Sequence, residues 1–162
     1  MYKSISFIIV CLVVLVPCAY AGGLTCTNEE AMKAESNTDT LKNWKRVYSS
    51  FKRYGHCDDG AISEGYSDKI CILLSDNWNS IDMLNKLTSN DKVFRSFIIK
   101  HIDATVPAAR LKIILENAEE HCQSANKKLC KSISERICKL IKAEPDVTKM
   151  GVFEKKDVEL CK

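Results

Sequence analysis

Residues 54–71, YGHCDDGAISEGYSDKIC, bring together a histidine, a cysteine, three aspartates and a glutamate ahead of a second cysteine. In helical register Glu64 and Asp68 stand one turn apart on a single face, with Asp58 and Asp59 at its foot. Such a carboxylate group suits a hard divalent cation or an acid–base pair. The stretch lacks the alternating oxygen ligands and closing glutamate of an EF-hand loop, and the two helical histidines of a zinc-hydrolase motif. Asp58 and Asp59 also stand where a helix start takes an oxygen acceptor, with Gly55 and Gly60 freeing the turn. Gly65 and Ala61 form a small-residue strip for a neighbouring helix.

Two of the three histidines directly precede cysteines, His56-Cys57 and His121-Cys122. A Cys57–Cys122 bridge would draw both imidazoles together, with Asp58 or Glu120 beside them, as a zinc site or a proton-transfer pair. His101 joins that group if its helix ends nearby. The competing expectation is that the histidines cap helix C-termini, where they meet exposed carbonyls. The candidate catalytic residues are therefore His56, Asp58, Asp59, Glu64 and His121, and the candidate metal ligands His56, His121 and Asp58. No cofactor is expected, a divalent metal being the alternative. Gly65-Tyr66-Ser67 lacks the frame and the preceding strand of a serine-hydrolase elbow.

The elements that must position these residues read as helices. Apolar residues recur at steps of three and four, and no stretch alternates them with polar ones. One helix is predicted from near Asp39, after Asn37-Thr38, with Leu41, Trp44, Val47, Tyr48, Phe51 and Tyr54 on its stripe and Gly55 as a left-handed cap. A second begins at the quoted motif and turns Ile62, Tyr66, Ile70, Leu73 and Leu74 inward. A third follows Asn79, with Asp82 as a reciprocal cap. A fourth starts after Asn90 and buries Phe94, Phe97, Ile98 and Ile102. A fifth opens at Thr105 with Pro107 in its first turn. The sixth runs from about Ser124 to Lys142, and Pro145 stops it. Residues 146–162 read as a tail. The expected fold is all-α, a compact disulfide-stabilised bundle of five to six short helices with its core over 39–142.

The first residues set the compartment. Lys3, the apolar run 5–16 and Ala19-Tyr20-Ala21 together read as a signal peptide over 1–21, leaving one domain over 22–162. The run is shorter than the ~20 residues that span a bilayer. A secreted, extracellular chain is expected to pair most of its cysteines. The candidates are Cys26, Cys57, Cys122, Cys130, Cys138 and Cys161. Cys71, among Ile70, Ile72, Leu73 and Leu74, is the expected free thiol, and a disulfide-linked dimer through Cys161 is the rival to a monomer. The formal net charge is +3 for the whole sequence. Acidic and basic residues alternate finely, so no broad cationic face for nucleic acid is expected.

Taken together, YGHCDDGAISEGYSD, LLSDNW, FRSFIIKHIDAT and the following Cys122 and Cys130 resemble a family of small exported all-helical proteins, bacterial periplasmic and secreted animal. The similar region covers roughly residues 48–140. The resemblance implies architecture and export, carries no activity, and draws interest to His56, Asp58, Asp59, Glu64 and Asp103. Cys26, Cys71, Cys138 and Cys161 lie outside its pattern. The leading functional expectation is a secreted helical binding or interaction module without catalytic activity, whose partner is an extracellular protein or small ligand. One alternative is a metal-assisted or acid–base hydrolase using His56, Asp58, Glu64 and His121. The other is a membrane-active or lipid-binding host-defence protein acting through the basic amphipathic helix 124–142, where Lys131, Lys139 and Lys142 would meet an anionic surface.

Overall fold

Helix after helix in this chain begins at an oxygen-bearing side chain. The computed structural model describes residues 25–143 and 152–161, so the expected leader 1–21 lies outside the described residues. Thr27 opens α1 (Asn28–Thr38) with a reciprocal cap: Glu30 N–H donates to Thr27 Oγ1 at 3.2 Å, and Thr27 N–H to Glu30 Oε2 at 3.1 Å. Asn43 accepts from Arg46 N–H to start α2 (Trp44–Tyr54). Asp59 caps α3 (Gly60–Asp76), and Asp91 accepts from Phe94 N–H at 2.9 Å at the head of α5 (Lys92–Lys100). Between them lies α4 (Ile81–Asn90). Pro107 precedes α6 (Ala108–Glu120), α7 spans Lys127–Ala143, and α8 spans Lys155–Leu160. No strand occurs among the described residues, and the fold is an all-α bundle tied by three disulfides.

The apolar stripes meet in one core. Trp44 and Val47 from α2, Tyr66, Ile70 and Leu74 from α3, Phe94 and Ile98 from α5, Leu111 and Ile114 from α6, and Leu129 and Ile133 from α7 are all buried. Each such side chain stabilises the fold by roughly 1.5–3 kcal/mol relative to exposure. An aromatic cluster runs through one side of it: Tyr66 lies 4.9 Å from Phe97, and Phe97 lies 4.2 Å from the His101 ring. The core thereby ends at a buried histidine.

Several local expectations change. Residues 39–54 are not one helix. α1 ends at Thr38, a turn carries buried Leu41, and α2 restarts at Trp44. Asn37 and Thr38 end a helix rather than begin one. Gly55 is right-handed, at φ −61°, and leads into a 3-10 turn (Gly55–Cys57); Gly60, at φ +50°, is the residue that needs left-handed freedom. Asp82 does not cap α4. Its carboxylate accepts from Asn126 Nδ2 at 2.7 Å and ties α4 to the turn before α7. Ala61 is exposed, so the small-residue strip reduces to Gly65, where an added methyl would lie 2.9 Å from Thr38 Cγ2. Within the expected tail, α8 is a short helix whose following Cys161 is bonded to Cys138.

Candidate functional site

The C-terminal end of α5 and the N-terminal end of α3 meet at a buried polar cluster. α5 ends at Lys100, and its cap residue His101 is fully buried against Phe97 and Tyr66. His101 Nδ1 donates to Phe97 O, one turn back, at 2.8 Å, as a second donor beside the His101 backbone N–H, which reaches the same carbonyl at 3.2 Å. Across the interface the left-handed Gly60 turns the chain so that Asp59 caps α3 while Asp58 reaches α5. Asp58 Oδ1 lies 2.9 Å from His101 Nε2, and Lys100 Nζ donates to Asp58 Oδ2 at 2.7 Å. Both ring nitrogens of His101 thus face oxygens of the protein.

The electrostatics of Asp58 follow from these contacts. Burial alone pushes its carboxyl up. The hydrogen bonds from His101 and Lys100, the charge of His101 and a contact with Ser63 more than offset this and hold it at about 2. A second brace lies two residues on. Asp103 accepts from Ser67 Oγ at 2.6 Å and from Thr105 N–H at 2.9 Å, which pins the α5–α6 connection onto α3. Burial raises the Asp103 carboxyl, but Ser67, Thr105 and the charge of His101 bring it below the ordinary carboxylate value. Beneath both braces the Cys71 thiol is free and buried, pointing at His101 O at 3.5 Å, and burial pushes it up to about 12.

Ser63 Oγ stands 3.4 Å from His101 Nε2, which invites comparison with a serine–histidine–aspartate triad. The geometry is not that of a triad. There the aspartate holds one ring nitrogen and the serine uses the other. Here Ser63 and Asp58 crowd the same Nε2, Nδ1 is taken by Phe97 O, and the ring has no exposed surface. What the arrangement does well is join two helix ends.

The sequence-derived candidates are dispersed. His56 sits in the 3-10 turn with Nε2 3.5 Å from Glu30 Oε1, while Asp59 is an exposed cap and Glu64 is exposed on α3. His121 is the exposed cap residue of α6, and its carbonyl accepts from Trp78 Nε1 at 3.1 Å. Asn117, one turn earlier, donates to Leu74 O at 3.1 Å near the end of α3. His56 and His121 therefore lie at opposite ends of a 17-residue helix, roughly 25 Å apart at 1.5 Å per residue. The bridge that would unite them is absent, since Cys57 is bonded to Cys26 and Cys122 to Cys130. His56 does approach the sulfurs of Cys26 and Cys57, all within 4.8 Å of one another. Those sulfurs are bonded together and supply no thiolate for a metal. Both oxygens of Asp58 are occupied by His101 and Lys100.

The sequence places Asp58 at a helix start and brings His101 to its group only on condition that the KHIDAT helix ends nearby, as it does at Lys100. His101, 43 residues away, carries the interaction. The one signal available was a histidine beside a lysine at the end of an apolar helix, as in KHIDAT.

On the surface, an open groove of about 560 Å³ lies between α5 and α7. Arg95 and Lys100 line it from α5, Arg136 and Lys139 from α7, with Glu135 as its single carboxylate. No family model, no curated protein and no solved structure matches this chain.

Proposed function

We propose that this chain is a secreted helical module that acts by binding an extracellular protein or small ligand and performs no chemistry of its own. The observation that carries the reading is the fate of its best chemical group. His101, Asp58 and Lys100 are mutually satisfied, His101 has no exposed surface, and together they brace α5 against α3. The hydrolase alternative needed His56, Asp58, Glu64 and His121 in one concavity, and they occupy opposite ends of α3. The membrane alternative needed the apolar stripe of α7. Leu129, Ile133, Ile137, Leu140 and Ile141 are buried in the core instead.

Export is supported by the leader-like first residues and by three disulfides, bonds that persist in oxidising compartments. No helix among the described residues is long and apolar enough to cross a membrane. The test is recovery of the protein from the medium of expressing cells, followed by mass-spectrometric mapping of its bridges. The expected result is an exported chain with Cys26–Cys57, Cys122–Cys130 and Cys138–Cys161 linked and Cys71 free. Retention inside the cell with reduced thiols overturns the reading, as does any hydrolytic activity abolished by His56→Ala or Glu64→Ala.

A further inference from the structure

We infer that the groove between α5 and α7 is a binding site for a small ligand carrying two or more phosphate or sulfate groups. The inference rests on the binding-module reading and deepens it by naming the site and the ligand chemistry.

Four cations and one carboxylate line this groove; Lys100 is paired with Asp58, so Arg95, Arg136 and Lys139 supply its excess positive charge. The whole sequence is only slightly basic at +3, with its charges otherwise finely mixed. Such a local imbalance raises the concentration of anions at the site. More telling is how the arginines are held. Arg95 Nη2 donates to Lys128 O at 2.7 Å and to Ser132 Oγ at 2.8 Å, which fixes the guanidinium plane and leaves Nε and Nη1 as donors. Arg136 Nε donates to Ile102 O at 2.8 Å, which leaves its two terminal nitrogens. Lys100 Nζ is anchored on Asp58 Oδ2. Three of the four cations are thus ordered before any ligand arrives, so less side-chain freedom is lost on binding.

The donor set selects the ligand. A guanidinium presents N–H groups in a planar fork that matches two oxygens of a phosphate or sulfate. A single carboxylate would engage one fork and leave the second arginine uncompensated, whereas a ligand with two tetrahedral oxyanions can meet both Arg95 on α5 and Arg136 on α7. A volume of about 560 Å³ lies within the roughly 300–1,000 Å³ usual for small-molecule sites. The source of the oxyanions is either a free molecule or a lipid headgroup, and the two are separable by experiment.

The test titrates the full, oxidised, secreted protein with inorganic pyrophosphate at low ionic strength, followed by calorimetry and by amide NMR. The expected result is saturable binding to one site, with amide shifts concentrated on the α5 and α7 residues that line the groove. Lys139→Gln should weaken it about tenfold, the value of one charge-assisted contact. Arg136→Gln should weaken it further. Glu135→Gln should tighten it several-fold, since the exposed Glu135 pairs only with Lys131, at 3.8 Å, among the described residues. Lys139→Gln and Glu135→Gln alter exposed side chains, so they remain informative if Arg136→Gln folds poorly.

Vesicles of phosphatidylcholine with phosphatidylserine form the second arm. Vesicle binding that pyrophosphate displaces assigns the source to a lipid headgroup, and pyrophosphate binding without vesicle binding assigns it to a free ligand. Absence of saturable pyrophosphate binding overturns the inference. So do vesicle binding alone, shifts confined to another face, and affinities unmoved by both Lys139→Gln and Glu135→Gln. If any of these is found for a protein exported with its three bridges formed, the ligand assignment falls while the binding-module reading stands.

Discussion

Replacing Asp58 with asparagine tests the junction of α3 and α5 directly. The substitution keeps the shape and one acceptor but removes the charge opposite His101 and Lys100. The magnitude follows from the carboxyl, held at about 2 in the folded chain against an ordinary value of 3.8. A difference of that size corresponds to about 2 kcal/mol of folding stability. Asp58 is the depressed-carboxylate case, its side chain only 9% exposed. Its contribution is therefore complete above the ordinary carboxylate value and disappears as pH falls from near 4 toward 2. Urea unfolding of the wild-type protein and Asp58→Asn, measured from pH 7 down to pH 2, provides the assay. Acid weakens both proteins, because Asp103 and other carboxyls are also depressed, so the informative quantity is the difference between the two. That difference should be about 2 kcal/mol at pH 7, stay level to about pH 4.5, and shrink toward zero near pH 2. A gap below about 0.5 kcal/mol, the range of ordinary surface substitutions, would refute the reasoning. So would a gap that does not change with pH.

Four further outcomes are expected. Gly60→Ala should destabilise the fold by about 1–2 kcal/mol in thermal unfolding, because an alanine resists φ +50° even though nothing crowds the added carbon; an unchanged midpoint would exclude the left-handed turn. Gly65→Ala should cost about 1 kcal/mol net, its clash with Thr38 outweighing the gain in helix propensity, and Thr38→Ala should relieve only part of that cost, because the Thr38 Cβ at 3.0 Å remains. A stabilised Gly65→Ala protein would mean that α1 does not press on α3. The Cys71 thiol should resist iodoacetamide at pH 8 in the native protein and react as one equivalent after unfolding without reductant; fast native labelling would contradict its burial. Loss of the Cys138–Cys161 bridge, which spans 23 residues, should lower stability by up to about 3 kcal/mol and raise hydrogen exchange in α8 first, whereas equal exchange in α8 would count against its being tied by that bond.

The helical character was legible because the apolar spacing of α3, α5, α6 and α7 is a local signal, repeated every three to four residues. α1 was not read from that signal, since it buries only Ala34 and Thr38 and presents no stripe to recognise. Its reciprocal cap, Thr27 with Glu30, was the available clue. The break between α1 and α2 was obscured because Leu41 continues the α2 stripe by chance of spacing while sitting in a turn. Asp58 was legible as a polar group at a helix start. Its partnership with His101 was not, because it depends on where the end of α5 lands in space, and nothing within a dozen residues of either one encodes that meeting. The pairing of cysteines was hidden for the same reason: proximity in three dimensions is set by packing, and the spacing of seven candidates leaves many combinations open.

The three covalent cross-links lie toward the two tips of the described polypeptide, and residues 58–121 contain none. Two of them act as clasps, one fastening the leading helix and one the trailing helix, while the middle holds by packing and by a salt-linked hinge pin. A reducing milieu would accordingly unbutton this molecule from its extremities inward. The interior would be the last part to let go, and a protease would find its first cuts beside Cys26 and Cys161.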